Sequence, residues 1–190
     1  MEASCIETFQ TERLKAERLR SSHLPDYVRL FQDSRVMATL SADGKPLPAE
    51  EAARWLGLAL EHWDRRSYGF WAIRRKADKA FVGRAGLKSV RVNGKDEVEL
   101  AYALLPEFWG QGLATEISRA ILGLAFDEVR LTDVICFTLT TNVASARVMQ
   151  KLGFRFEREG PHADLPHVFY RLTAADFATS AGAEGSSRAP

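Results

Sequence analysis

Cysteine is scarce: Cys5 and Cys136 are the two in 190 residues. One sits near the N-terminus and the other in the apolar run Val134-Ile135-Cys136-Phe137, so no disulfide framework is expected. No CxxC or Cys/His spacing suggests zinc, and His23, His62, His162 and His167 show no metal-ligand spacing. No metal is therefore expected. An excess of charge of one sign is also missing. Lys and Arg number 26 against 25 Asp and Glu, a formal net charge of +1 at pH 7. Nucleic-acid binders ordinarily carry a basic excess, because phosphate neutralisation drives much of their affinity. A nucleic-acid partner is therefore not expected. Apolar runs fall far short of the ~18–20 residues that cross a bilayer, so neither is a membrane. The opening Met1-Glu2-Ala3-Ser4 lacks a basic stretch followed by an apolar one, so no secretory signal is expected. The default is a cytoplasmic, reduced, soluble protein.

What is present suits one globular domain. Hydrophobic residues make up 46% and charged residues 27%, both ordinary for such a protein. A globule of this size removes roughly 70% of its unfolded surface from water, enough for a real core. A disordered chain, a collagen-like fibre and a disulfide scaffold are excluded.

Patterning then orders the chain. Residues 6–19 read as extended and mixed, and Leu24, Val28, Leu30 and Phe31 predict a short helix starting near Pro25. Asp43-Gly44-Lys45-Pro46 is a turn. Ala52, Trp55, Leu56, Ala59, Leu60 and Trp63 predict a helix over residues 49–66. Strands are expected over 68–74, 81–92 and 97–105, the last two joined at the hairpin signal Asn93-Gly94. Gly83-x-x-Gly86 inside the second of these reads as a bulge. After Pro106 and the glycine turn Trp109-Gly110-Gln111-Gly112, a helical stripe runs through Ile117, Ile121, Leu124 and Ala125. A buried strand over 133–140 follows, then a helix opened by Asn142 and stopped by Gly153. The last strands are expected over 154–159 and 167–172. Residues 178–190 are Ala, Gly, Ser, Thr and Pro with few charges and read as a disordered tail. Helices near the start, a hairpin, then strand–helix–strand–helix–strand make a mixed α/β sheet.

The glycine turn carries the first chemical signal. It lies between a strand and a helix start, where backbone N–H groups have no intrahelical partner. With the helix dipole they form an anion site, and Gly110 and Gly112 let a phosphate approach closely. A tight turn that simply needs positive φ explains the glycines equally well. Gly-Lys-Ser/Thr is absent and the spacing is not GxGxxG, so this is neither a P-loop nor a dinucleotide fingerprint.

The second signal is the helix Asn142-Val143-Ala144-Ser145-Ala146-Arg147-Val148-Met149-Gln150-Lys151 with its Leu152-Gly153-Phe154 ending. With both motifs in this order, the sequence resembles the GNAT acyl-CoA-dependent N-acetyltransferases, in the branch of the ribosomal-protein alanine acetyltransferases RimJ and RimL. Thr11-Glu12-Arg13-Leu14 and Gly69-Phe70-Trp71-Ala72-Ile73 look like this branch too. The resemblance spans residues 7–172 and implies a GNAT fold, an α/β class with a mixed central β-sheet of splayed strands flanked by helices. It implies a single domain over 1–177, with acetyl-CoA as co-substrate and a primary amine as acceptor.

The resemblance also assigns residues. Trp109, Gly110, Gln111, Gly112, Leu113 and Ala114 would hold the pyrophosphate. Backbone groups of Ala103, Leu104 and Leu105 would hold the pantetheine and polarise the thioester. Asn142 and Ser145 would line the cofactor arm, with Arg147 and Lys151 near the adenosine phosphates; both also fit an ordinary solvated helix face. Asn142 is equally an N-cap and Ser145 a helix hydroxyl. The branch places an amine-relaying glutamate at Glu99, before Tyr102, and Ser145 near the leaving sulfur, so Glu99 and Ser145 are the catalytic candidates. Alternation puts Glu97 on the same face as Glu99, and both also read as solvated strand charges. Trp55, Trp63 and Trp71 are candidates to line the acceptor site, with core packing the alternative.

Two departures stand out. Trp109 replaces the family's common Arg or Gln, which matters little where main-chain N–H groups bind. Met149 replaces the family's frequent tyrosine acid and cannot donate a proton. A protein N-terminus and a small amine both remain open as acceptor. A catalytically silent acyl-CoA-binding module on the same fold also stays open. A homodimer is common in this branch, and no sequence feature requires one.

Overall fold

The computed structural model describes residues 6–41 and 43–186, with side chains through residue 180. Cys5 lies outside the described residues. The extended stretch near the start resolves into two short antiparallel strands, β1 (Thr8–Gln10) and β2 (Leu14–Arg18), with Phe9 opposite Ala16. Helix α1 (Leu24–Gln32) begins with Pro25 in its first turn, where a missing N–H leaves nothing unpaired. The one-turn helix α2 (Ser34–Met37) carries no periodic signal. It exists because the Asp33 carboxylate accepts from the N–H groups of Arg35 and Val36. Helix α3 (Ala49–Arg66) has the expected bounds and buries Ala52, Leu56, Ala59 and Trp63 along one stripe.

Strands β3 (Phe70–Arg75), β4 (Phe81–Val92) and β5 (Lys95–Leu104) continue the sheet. Asn93 and Gly94 take φ of 49° and 79°, the left-handed pair that a two-residue hairpin requires. Between β3 and β4 the register shifts: Ile73 faces Gly83 and Arg74 faces Phe81, which leaves Val82 as the bulged residue. The expected bulge is thus one residue before Gly83. The remaining elements are α4 (Leu113–Asp127), β6 (Asp133–Leu139), α5 (Val143–Lys151), β7 (Arg155–His162), β8 (Leu165–Thr173) and α6 (Ala174–Ser186).

The eight strands form one sheet in the order β1-β2-β3-β4-β5-β6-β8-β7, antiparallel throughout except for β5 with β6. Helix α1 packs on α3 and on β4. Tyr102 Oη reaches Ser145 on α5, while Arg84, on the opposite face by alternation, reaches rings of α1. The helices therefore cover both faces, as the expected fold class requires. One continuous core runs from Leu14 to Leu172.

Residues 178–186 differ from the expected disordered tail, because α6 runs through them. Alanine is the best helix former, and Phe177 packs on Phe126 with ring centroids 5.3 Å apart. Thr173 and Asp176 bond each other across the first turn, and Arg155 adds an ion pair to Asp176. Residues 187–190 lie outside the described residues. Among the described residues, no helix is long and apolar enough to cross a membrane.

Candidate active site

The site begins where two strands stop pairing. Strand β6 runs seven register pairs along β8 but meets β5 at the single pair Glu99–Ile135. Past Glu99 the strands part. Backbone groups of residues 100–104 that are not bonded to β4 then face an opening instead of a strand. A cavity of about 550 Å³ fills that opening. Alternation sends Glu99, Ala101 and Ala103 to one face of the sheet and Leu100, Tyr102 and Leu104 to the other. All six line the cavity, so it reaches through the sheet from one face to the other.

One end of the cavity meets the start of α4. Gly110 and Gly112 take φ of 73° and 76°, and Gly112 is the N-cap without any side-chain cap. Both explanations of the glycines therefore hold together: the turn needs left-handed backbone, and its N–H groups stay open to a ligand. Trp109 keeps its indole out of the way by donating to the Leu104 carbonyl at 2.7 Å. Arg13 ties the outside of this turn, bonding Glu116 and the Gln111 carbonyl. The cavity lining at this end includes Trp109, Gly110, Gly112, Leu113 and Ala114, and from α5 Arg147 and Lys151. Two of the expected cofactor residues stand outside it. Leu105 is a core residue, and Gln111 is exposed with its amide donating to the Glu107 carbonyl.

Helix α5 presents its first turn to the same opening. Asn142 Oδ1 accepts from the Ser145 N–H at 3.1 Å, so the N-cap role is real, and both residues line the cavity. Ser145 Oγ lies 2.9 Å from Tyr102 Oη. Burial pushes the Tyr102 phenol well above its ordinary range, so it stays protonated and serves as a donor. Met149 is fully buried in the core.

The opposite end gathers side chains from distant elements. Glu99 is 7% exposed, and its Oε2 has no hydrogen-bond partner. Lys88 Nζ stands 3.4 Å from that oxygen, an ion-pair distance without hydrogen-bond alignment. Burial raises the Glu99 carboxyl, and the cations Lys88 and Arg84 only partly offset it. His162 and His167 come into the cavity wall beside Phe137. His167 Nδ1 lies 2.9 Å from the Leu165 carbonyl, which only accepts, so Nδ1 carries the proton and Nε2 faces elsewhere. Burial lowers His162 below the ordinary imidazole range.

The three tryptophans divide. Trp55 lines the cavity and rests edge-on against Phe31 at 5.2 Å. Trp63 and Trp71 belong to the core, stacked edge-on at 5.0 Å, and do not line the cavity. Their indole N–H groups find backbone carbonyls, Phe70 for Trp63 and Ile6 for Trp71, and that lets them be buried. Glu97 is also elsewhere. Arg171 holds it at 2.9 Å together with Asp133 and Glu157, a surface ion cluster.

Among the contributors that the sequence reading of the site missed are Tyr102, Arg84, Lys88 and α2, whose Val36 joins the lining, while His162 and His167, which also read as structural or surface residues, do line it. Tyr102 was within reach, since alternation puts it on the face opposite Glu99, where a residue of the Asn142 helix would meet it. The others depend on long-range packing.

Comparison with known proteins agrees with this geometry. The model of the acetyltransferase (GNAT) domain family matches residues 13–155. The FsC-acetyl coenzyme A-N(2)-transacetylase of Aspergillus fumigatus is 34% identical over 187 residues, covering 90% of this chain and 77% of that protein. Among solved structures, an acetyltransferase from Agrobacterium tumefaciens superposes with a TM-score of 0.74 at 22% identity, covering 87% of this chain and 93% of that one. The ribosomal-protein-S5-alanine acetyltransferase of Vibrio fischeri gives 0.71 at 17% identity, covering 90% and 98%. At these identities the two structures speak to the fold, while the family match and the fungal relative speak to descent. The chain belongs to the GNAT acetyltransferase family and is an acyltransferase.

Proposed function

We propose that the chain transfers acetyl from acetyl-CoA to the nitrogen of a primary amine, by direct attack inside the cavity between β5 and β6. The observation that carries this reading is the cavity's two-sidedness. A carboxyl on one face and a hydroxyl pair on the other flank the same parted strands.

The residues present fit the cofactor. The α4 start has an uncapped glycine N-cap with free N–H groups, the donor set a pyrophosphate needs. Residues 109, 110 and 112–114 would hold that group, with Arg147 and Lys151 as cations nearby. Main-chain groups of β5 past Glu99 that are bonded neither to β4 nor, like the Leu104 carbonyl, to Trp109 would hold the pantetheine and orient the carbonyl. Acetyl-CoA supplies, when bound, an acetyl thioester whose sulfur leaves readily.

The chain's own groups then manage protons. Glu99 takes the amine proton, directly or through one water, and burial, which raises its carboxyl, makes it a stronger base than a solvated carboxylate. An α-amine with a pKa of ~8 needs little help, whereas a lysine amine at ~10.4 needs more. Ser145 Oγ and Tyr102 Oη, linked at 2.9 Å, hold a proton that either can present to the departing sulfur. A thiol with a pKa of ~8.5 leaves fairly well unaided, so this assistance is modest. No metal takes part in this reading, and the setting is cytoplasmic.

The test is to incubate the protein with acetyl-CoA and a panel of amines, following free thiol and the mass of the acceptor. The expected result is thiol release coupled to a gain of one acetyl on nitrogen for some primary amines. Thiol release without acceptor acetylation, or acetylation on oxygen, contradicts the proposal.

A further inference from the structure

Arg84 has no role in the reaction as described, yet it stands in the cavity. It lies on β4 on the face shared with Lys88, opposite Ala103, while Lys88 stands opposite Glu99. Its guanidinium is held by three rings, 4.0 Å from the Phe70 centroid, 5.0 Å from Phe31 and 5.6 Å from Tyr27. Such stacking fixes a guanidinium in place and leaves its edge free for a planar partner.

No carboxylate fills that place among the described residues. Arg84 Nε is buried with no hydrogen-bond acceptor. The Tyr27 hydroxyl is a side-chain hydrogen-bond partner of the guanidinium, and among the described residues no carboxylate is within ion-pair distance of it. Its neighbours in the sheet behave differently. Arg74 holds Asp26 at 2.6 Å, and Arg75 holds Asp78 at 2.5 Å. A buried charged N–H left without an acceptor is unfavourable, so an acceptor brought in by a ligand would be held there. The charge balance agrees. On this face Lys88 is paired with Glu99, and Arg84 is the surplus cation.

We infer that the acceptor amine also carries a carboxylate, which docks on the edge of the Arg84 guanidinium while its amine reaches Glu99. This rests on the proposed amine acetylation and narrows its substrate class to amino acids and their relatives. A carboxylate matches the guanidinium fork with two parallel hydrogen bonds, and its negative charge answers the surplus cation. Phe70 packs against the guanidinium, and Val36, Leu40 and Trp55 add apolar lining to the same cavity.

The experiment pairs each acid with its neutral isostere. α-, β- and γ-amino acids are compared with their primary amides, and peptides beginning Ala-Asp with peptides beginning Ala-Asn. The free-acid and peptide arms separate a small acceptor from a protein N-terminus. The expected result is a preference of roughly 10- to 100-fold in kcat/KM for acid over amide in one arm, the range for a hydrogen-bonded charge pair. Arg84→Gln should erase that preference, chiefly through KM, and leave acetyl-CoA affinity unchanged. Arg84→Lys should keep part of it. The acid-to-amide ratio is measured within each variant, so partial misfolding does not mimic the effect. Equal use of acid and amide by the parent overturns the inference, as does an equal loss on both in Arg84→Gln. If no amine is acetylated, the proposed function fails separately. The inference is then decided by thermal shift with N-acetyl amino acids against their amides: an Arg84-dependent shift with the acids alone supports it, and no difference overturns it.

Discussion

At the α4 end of the cavity the groups offered to a ligand are main-chain N–H groups, set by the left-handed Gly110 and Gly112. At the Glu99 end they are side chains delivered by α2, α3, β4, β5 and the β7–β8 hairpin. The first end is local. Its residues lie within one turn of chain, and a helix N-terminus does the same work whatever side chains surround it. The second end is assembled over long sequence separations, and its properties come from burial and from which charges are left over. A family can keep the first end while the second changes its acceptor.

Substitutions should separate the two ends, beginning with the most severe. Gly112→Glu places a side chain at φ 76° and a negative charge at the uncapped helix start. The left-handed strain alone is about 1–2 kcal/mol. Acetyl-CoA at ~100 times the parent Kd should stabilise the parent by about 2.7 kcal/mol and the variant not at all, as thermal shift or calorimetry will read. A retained shift breaks the main-chain account of this end.

Trp63 and Trp55 sharpen the other end, one being core and the other cavity wall. Trp63→Ala should lose about 3–5 kcal/mol of stability in denaturant unfolding. Trp55→Ala should lose much less stability and raise the acceptor KM while leaving the acetyl-CoA KM alone. A larger stability loss at Trp55 than at Trp63 contradicts their placement.

The hydroxyl pair should matter less. Ser145→Ala and Tyr102→Phe should each slow turnover less than about tenfold, short of the ~10²–10⁴ of a full general acid. The double variant should fall short of the product of the two losses, because each change breaks the same 2.9 Å hydrogen bond. Multiplying losses would show that the two hydroxyls act apart.

Much of the frame was legible because local rules governed it. The bounds of α3, the Asn93-Gly94 hairpin and the Asn142 cap follow from periodicity, positive φ and side-chain acceptors within three residues. Tertiary competition decided the rest. Trp63 and Trp71 carry the same signal as Trp55, and only the carbonyls of Phe70 and Ile6 explain why they went into the core. Glu97 and Glu99 alternate on one face, yet Arg171 on β8 captures Glu97 and leaves Glu99 in the cavity. The fate of Arg84 depends on rings from α1 and β3. No spacing rule foretells such encounters.

Glu99 should also show its burden in stability. Its folded carboxyl is raised by burial, so the native state is favoured below the unfolded pKa, and that advantage is lost as pH rises through the folded value. Glu99→Gln should therefore match or exceed the parent in stability at pH 7–8, a gain that vanishes below about pH 4.5. A variant less stable than the parent at pH 8 would mean that the Lys88 pair outweighs desolvation.

The claim at the centre is that Glu99 relays the amine proton. The most direct test is the acetyl-transfer rate of parent and Glu99→Gln from pH 6 to 9, at saturating acetyl-CoA and with an acceptor found by the amine panel. The account predicts a defect of roughly tenfold or more at pH 6–7 that shrinks as the amine deprotonates itself, near pH 8 for an α-amine. Equal rates across the whole range would contradict it and leave the base to be sought at His162 or His167.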